Sequence, residues 1–394
     1  MSLKNKVAII GVGCTKFGEN FDLDYKDMLV ESYTEALEDA GIGPKEIDAA
    51  WLATAFPDMA HYEGNSGSSL ADPLNLFGIP TTHVTNYCAT GMDAIRNAAM
   101  AVASGNARFA YIGGVEKMRD VPPRDSLIAQ VVKTGHPVVG KGATAPGMFA
   151  MLETRYMAVR GVDRTPFAEI SVKNHYNGSL NPKAHFGRPV TIDAVLNAPM
   201  IAYPLGLYEC TPVSDGSASV IITTPEIAKS LKKDSILIKA LTLSIDSGWN
   251  PQFDKSNQFL GFKSTQNAAG MAYKEAGIKN PHDEIDFAEV HDCFTITEVV
   301  NYEDLQFCPR GEGWKFIHEG HSTREGELPV NVSGGLQSSG HPIGATGVRM
   351  VYELVTQLRG KAGKRQLENV RVGLAHNLGG PGSVASVAIL SRAD

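Results

Sequence analysis

The chain has no run of the roughly 18–20 apolar residues that a membrane-spanning helix needs, no C-x-x-C cysteine pair, and no surplus of basic charge. Each absence removes a class of function. The first six residues lead straight into Val7-Ala8-Ile9-Ile10, too short for a signal-peptide core and with no cleavage site after it. That stretch is expected to be a first buried strand. The final Ser391-Arg392-Ala393-Asp394 is not a peroxisomal address. The five cysteines, at positions 14, 88, 210, 293 and 308, are dispersed as free thiols would be in a reducing compartment. A cytoplasmic location is therefore expected. A net charge of −7 and a pI near 5.9 argue against nucleic acid and anionic membranes as partners. Gly11-x-Gly13 lacks the third glycine of a dinucleotide fingerprint, since Lys16 stands there. His318-x-x-His321 beside Cys308 has no second cysteine to complete a structural zinc pattern, so a solvated loop and no bound metal are expected.

What is present is an ordinary globular composition, 43% hydrophobic and 20% charged over 394 residues, with one unit used twice. Ala36-Leu37-Glu38-Asp39-Ala40-Gly41 runs into Glu46-Ile47-Asp48-Ala49-Ala50-Trp51-Leu52. Much later Ala272-Tyr273-Lys274-Glu275-Ala276-Gly277 runs into Glu284-Ile285-Asp286-Phe287-Ala288-Glu289-Val290. Both read as a helix capped by glycine, a turn and a buried strand. The spacing predicts a further helix over 93–104 before the strand Phe109-Ala110-Tyr111-Ile112, and an amphipathic helix over 348–358 before Val370-Arg371-Val372-Gly373-Leu374. Each half closes on a glycine turn and a last strand, at Val220-Ile221-Ile222 and Val387-Ala388-Ile389-Leu390. The expected architecture is α/β, with two sheets packed through shared central helices. The halves are assigned to 1–117 with 200–232, and to 233–394. The stretch 118–199, rich in Pro, Gly, His and Asn with one helix over 148–159, is read as an inserted lid.

Three loops carry residues suited to chemistry. Asn86-Tyr87-Cys88-Ala89-Thr90-Gly91 lies between a strand and a helix start, where free backbone N–H groups favour a thiolate. A buried structural cysteine is the plain alternative. Glu289-Val290-His291-Asp292-Cys293-Phe294 sits at the end of a repeat strand, where α/β folds open crevices; an incidental imidazole at a helix cap is the alternative. Gly334-Gly335-Leu336-Gln337-Ser338-Ser339-Gly340-His341-Pro342-Ile343-Gly344-Ala345-Thr346-Gly347 flanks a histidine with glycines, as a loop approaching a ligand would. Such a histidine is suited to deprotonating a cysteine, or is simply solvated in a glycine turn. Ala375-His376-Asn377-Leu378-Gly379-Gly380 offers backbone donors to a developing charge, or a plain turn before the last strand.

Together these motifs resemble the thiolase superfamily, and within it the sterol-carrier-protein-type and archaeal acetoacetyl-CoA thiolases. The resemblance spans nearly the whole chain. It implies a duplicated five-layer α-β-α-β-α fold with an inserted loop domain, an obligate homodimer, coenzyme A as co-substrate and no permanent cofactor. It also implies cleavage or formation of a 3-oxoacyl-CoA, either acetoacetyl-CoA or a bulkier ester such as benzoylsuccinyl-CoA. Cys88 matches the acyl-accepting nucleophile and His341 the histidine that activates it. His291 stands where many thiolases carry an oxyanion-hole Asn. The second catalytic cysteine of most thiolases looks replaced by His376, and in the sterol-carrier-type branch the cysteine corresponding to Cys293 takes the acid/base role. The backbones of Cys88, Leu378, Gly379 and Gly380 match the oxyanion hole, with Phe294 and Thr211 as accessory positions. A small zinc-ribbon/OB-fold subunit is an implied partner, expected near 118–199 and the long loop 306–330. Trp314 and Phe316 of that loop would form a partner-facing patch if exposed, and packing residues if buried. Three other readings remain open: a ketoacyl synthase-type condensing enzyme, a thiolase-fold aldolase, and a non-catalytic lipid-binding relative.

Overall fold

The computed structural model describes residues 2–57, 64–122, 144–231, 234–246 and 254–393. The boundary drawn at 232/233 and residues 123–143 of the inserted stretch lie outside them. The strands are β1 (Ala8–Cys14), β2 (Ala49–Ala53), β3 (Thr81–Val84), β4 (Ala110–Glu116), β5 (Met200–Ala202), β6 (Leu205–Gly206), β7 (Gly216–Thr223), β8 (Ile236–Ile245), β9 (Phe287–Val290), β10 (Val372–Gly379) and β11 (Val384–Arg392). The helices that matter here are α1 (Tyr25–Ala40), α2 (Thr90–Ala103), α3 (Ala145–Arg160), α4 (Thr165–Ser179), α5 (Lys263–Ala276), α6 (Thr295–Asp304), α7 (Gly335–Ser339) and α8 (Ile343–Leu358).

Local chemistry sets the repeated ends. Asp24 and Asp27 form a reciprocal capping box that starts α1, and Gly41 ends it at φ 64°. Gly277 ends α5 in the same left-handed way, at φ 87°. The strands then reveal the duplication in full. The order β2-β4-β7-β1 in the first half is matched by β9-β10-β11-β8 in the second. Corresponding pairs share direction. β2–β4 and β9–β10 are parallel, β4–β7 and β10–β11 antiparallel, β7–β1 and β11–β8 antiparallel. β3 extends the first half as an edge strand. The halves are not wholly separate sheets: β1 and β8 touch through Ala8↔Leu237 and Ile9↔Ile236, joining nine strands into one curved whole.

Helices α2 and α8 pack against strands of both halves, whereas α1 covers β1, β4 and β7 and α5 covers β8 and β11. The result is α, β, α, β, α, the layered arrangement expected. Helix α8 differs from its expected amphipathic form: every residue from Ile343 to Leu358 is buried. A helix in the middle layer has no wet face, so its polar residues are satisfied internally. Glu353 pairs with Arg365 at 2.9 Å, and Arg349 Nη1 lies 3.1 Å from Ser333 Oγ.

The two central helices meet at their N-termini. A Cβ on Gly91 would lie 2.8 Å from Gly344 O and Val348 N, and one on Gly347 would lie 2.4 Å from Met92 N. Only glycines permit that approach, and it brings the residues just ahead of each helix, Cys88 and His341, to one place. The inserted stretch supplies α3 and α4. α4 packs on α7 and α6, and α3 packs on α6 and on the small β5–β6 sheet.

Candidate functional site

Cys88 stands in a strained turn at the foot of α2. Tyr87 before it takes φ 50°, a left-handed conformation costly for a bulky residue. The turn is held by the Thr90 hydroxyl, which donates to Tyr87 O at 2.5 Å and accepts from Asn86 N at 2.7 Å. The loop after β10 lies directly against it, so close that a Cβ on Gly379 would sit 2.9 Å from Cys88 N. The backbone N–H groups of Gly380 and of Cys88 itself favour a thiolate, but burial dominates and pushes the thiol up to about 12. The helix start lowers the thiol as read from the sequence, but burial outweighs it. Glu116 nearby adds to the same upward push.

One ring nitrogen each of His291 and His341 and the Cys88 sulfur all lie within 4.8 Å of one another. The two rings meet edge to face, centroids 5.1 Å apart. Burial holds both imidazoles neutral, His341 down to about 3 and His291 well below the ordinary range, with His341 and His376 adding to the shift of His291. His341 Nδ1 sits 2.7 Å from Thr346 Oγ1, and His291 Nδ1 sits 3.3 Å from the Asn377 amide.

Cys293 is buried beside them. Its thiol lies 3.6 Å from the Thr297 hydroxyl and is raised well above the usual thiol range by burial and then by Cys88. Thr211 ties this segment to the next, since its N–H donates to Cys293 O at 3.0 Å and its hydroxyl to Leu336 O at 2.8 Å. Phe294 stacks on Phe149 of α3, centroids 4.8 Å apart, so the inserted stretch packs against the site. His376 stands apart. Side chains alternate along β10, and while Asn377 turns toward His291, His376 Nε2 pairs with Thr265 of α5 at 2.9 Å.

Sequence reasoning missed the supports. Glu116, at the end of an apolar strand, accepts from Thr54 Oγ1, Ala55 N, Phe56 N and, across the molecule, Gly344 N at 2.8 Å. Asp292 accepts from Leu336 N at 2.6 Å and Asn174 Nδ2 at 2.9 Å, fixing α7 just ahead of His341. An acid closing a buried strand was the one visible signal for Glu116.

In the loop 306–330 the burial alternative holds. Phe316 is 4% exposed, packed against Tyr302, and Trp314 is half-buried against the core, so no exposed aromatic patch forms there. Instead this loop and the end of α6 line a cavity of about 850 Å³ that includes none of the site residues. His318 and His321 pair with different carboxylates, Glu169 for the first and Glu319 and Glu327 for the second. No described helix is long and apolar enough to cross a membrane.

The chain matches the thiolase N-terminal domain over residues 7–226 and the thiolase C-terminal domain-like family over residues 246–392. It is 40% identical to an acetyl-CoA acetyltransferase of Methanothermobacter thermautotrophicus, covering 98% of this chain and 99% of that protein. It is 34% identical to sterol carrier protein 2 of Oryctolagus cuniculus, covering 95% of this chain and 70% of that protein. Among solved structures, the Ltp2-ChsH2(DUF35) aldolase superposes with a TM-score of 0.83 at 25% identity, over 100% of this chain and 99% of that one. Human mitochondrial 3-ketoacyl-CoA thiolase shares the fold, with a TM-score of 0.74 at 16% identity over the full length of both. With both family domains matched across nearly its whole length, the chain is an acyltransferase and belongs to the thiolase family.

Proposed function

We propose that this enzyme cleaves or forms a 3-oxoacyl-CoA thioester through an acyl-cysteine on Cys88, with coenzyme A as co-substrate and acetoacetyl-CoA as the first substrate to test. The observation that carries this reading is the approach of Cys88, His291 and His341 within 4.8 Å of one another. A neutral imidazole beside a neutral thiol is a proton acceptor waiting for a reason to act. In the cleavage direction His341 takes the Cys88 proton as the sulfur attacks the 3-keto carbon. The carbon–carbon bond then breaks toward an acyl-CoA enolate, and Cys293, a protonated thiol, supplies its α-proton. The thiol of coenzyme A next gives its proton to the Cys293 thiolate and attacks the acyl-cysteine, forming the second thioester as the Cys88 sulfur leaves and takes back the proton held by His341. Backbone N–H groups of Cys88 and of the Leu378–Gly380 loop steady the tetrahedral oxyanion, while His291 and His341 face the enolate oxygen. Phe294 and Thr211 keep Cys293 in position, and His376 lies behind β10 with no step assigned.

A homodimer in the cytoplasm is the working state proposed. The likeness to archaeal acetyl-CoA acetyltransferases supports an acetyl-transferring activity. The likeness to the Ltp2-ChsH2(DUF35) aldolase supports a second reading, a lyase, and also a small zinc-ribbon/OB-fold partner. Coenzyme A dependence separates the two. Incubating the enzyme with acetoacetyl-CoA, benzoylsuccinyl-CoA, intermediate 3-oxoacyl-CoA esters and a β-hydroxyacyl-CoA, with and without free CoA, is the test. Release of two acyl-CoA products only when CoA is present is the expected result. Cleavage of a β-hydroxyacyl-CoA without CoA would overturn it in favour of the lyase. Absence of turnover on all esters, with lipid retained, would leave a carrier.

A further inference from the structure

We propose that Cys88, His291 and His341 also form an inhibitory site for a single divalent ion of the zinc class. One thiolate and two imidazoles are the donor set that such borderline ions prefer. Among the described residues this is the one group whose ligand atoms approach closely enough, within 4.8 Å. Tetrahedral zinc with bonds of about 2.0–2.3 Å brings its ligands to roughly 3.5 Å apart, so a contraction of about 1 Å is needed. Cys88 is partly exposed at the foot of α2, and side-chain rotations within the group supply the contraction. Three protein ligands leave a fourth position for water or for an incoming thiol, as in zinc sites that remain open.

The surroundings of both rings are compatible with metal ligation through Nε2. A metal-bound imidazole donates its other N–H to a fixed acceptor. The Thr346 hydroxyl gives its proton to Pro342 O at 2.9 Å, so toward His341 Nδ1 it accepts, and His341 Nε2 keeps its lone pair. At His291 the Asn377 amide nitrogen faces Nδ1, while Asn377 Oδ1 is fully buried with no hydrogen-bond partner. Turning that amide over gives Oδ1 the Nδ1 proton of His291 and frees His291 Nε2 as the second ligand. That turn satisfies the buried oxygen and is compatible with ligation through Nε2. The step balances without redox: the ion displaces one proton from the Cys88 thiol and forms one metal–sulfur bond.

The binding rests on this geometry; its inhibitory consequence rests on the proposed function, because a sulfur held by a metal cannot attack a carbonyl. The full-length enzyme, free of substrate, is titrated with Cd²⁺ while the ultraviolet thiolate-to-metal charge-transfer band is followed. One band per chain is expected, absent in Cys88→Ser and retained in Cys210→Ala. His291→Ala and His341→Ala weaken binding by about tenfold or more. Alkylating Cys88 in the unmodified sequence abolishes the band as well, which covers a variant that fails to fold. Zn²⁺ in parallel inhibits turnover reversibly, and a chelator restores it. A band of equal strength after Cys88 is blocked, or no band at all, overturns the metal site. A band in an enzyme that shows no CoA-dependent cleavage keeps the metal site and overturns the proposed function instead.

Discussion

His341 Nδ1 lies 2.7 Å from the hydroxyl of Thr346, five residues on and one turn into α8. Because that hydroxyl donates to Pro342 O, it fixes the imidazole in the tautomer whose Nε2 can accept a proton. Thr346→Val keeps the shape of the side chain and removes this control. The expected result is a fall in kcat of roughly 10- to 100-fold, the scale for losing an outer-shell partner, with KM little changed. An unchanged kcat would mean the ring is oriented by something else.

Cys88→Ser should lower turnover by at least about 10³-fold, as loss of a covalent nucleophile does. It should also end labelling by an alkylating acyl mimic, read by intact-protein mass spectrometry. Near-normal cleavage by the variant would make Cys88 a packing residue.

Cys293 separates the two halves of the reaction. In Cys293→Ala, acylation of Cys88 is expected to survive, while exchange of the α-protons of acetyl-CoA into deuterated water is lost. Exchange at the normal rate would move the acid/base role away from Cys293 to a water.

The crossing of α2 and α8 yields a stability prediction. Gly347→Ala puts a methyl group 2.4 Å from Met92 N, a backbone atom with little room to yield, and 2.4 Å from the buried Asn377 Oδ1. Overpacking of this kind costs about 1–3 kcal/mol. A lowered Tm is therefore expected, with activity falling further because Cys88 and His341 are pushed apart. Gly270→Ala, where no atom lies within 4 Å of the new methyl, is the control and should be neutral or slightly stabilising.

The partner is tested by native mass spectrometry of enzyme taken from its source cell. A copurifying small subunit is the expected result. A fully active dimer alone would sink the partner and leave the loop 306–330 as a cover for its own cavity.

Much of the frame was legible because it is written locally. The glycine after each repeat helix, the strand following it, and the glycine-flanked His341 each announce themselves within a dozen residues. What stayed hidden is whatever depends on a distant partner. Thr346 and Asn377 are two of several buried polar residues in α8 and β10, and nothing in their neighbourhood says which ring they meet. Glu116 finds Gly344 only after the halves dock, 228 positions apart. The Cys88 thiol illustrates the same limit in energy: the helix start is local and readable, but the burial that outweighs it is tertiary. Phe316 likewise lies in an irregular loop, and its burial under Tyr302 has no signature in spacing.

The meeting of Gly91 with Gly344 has a bearing on when the enzyme becomes competent during its own folding. The outer helix of each half packs on strands of its own half, but the proposed nucleophile and base come from opposite halves. Neither half, released from the other, holds half an activity. The onset of alkylation at Cys88 assisted by His341 during refolding would thus time one event, the docking of the first repeat on the second. It would do so with a chemical signal blind to the secondary structure already formed.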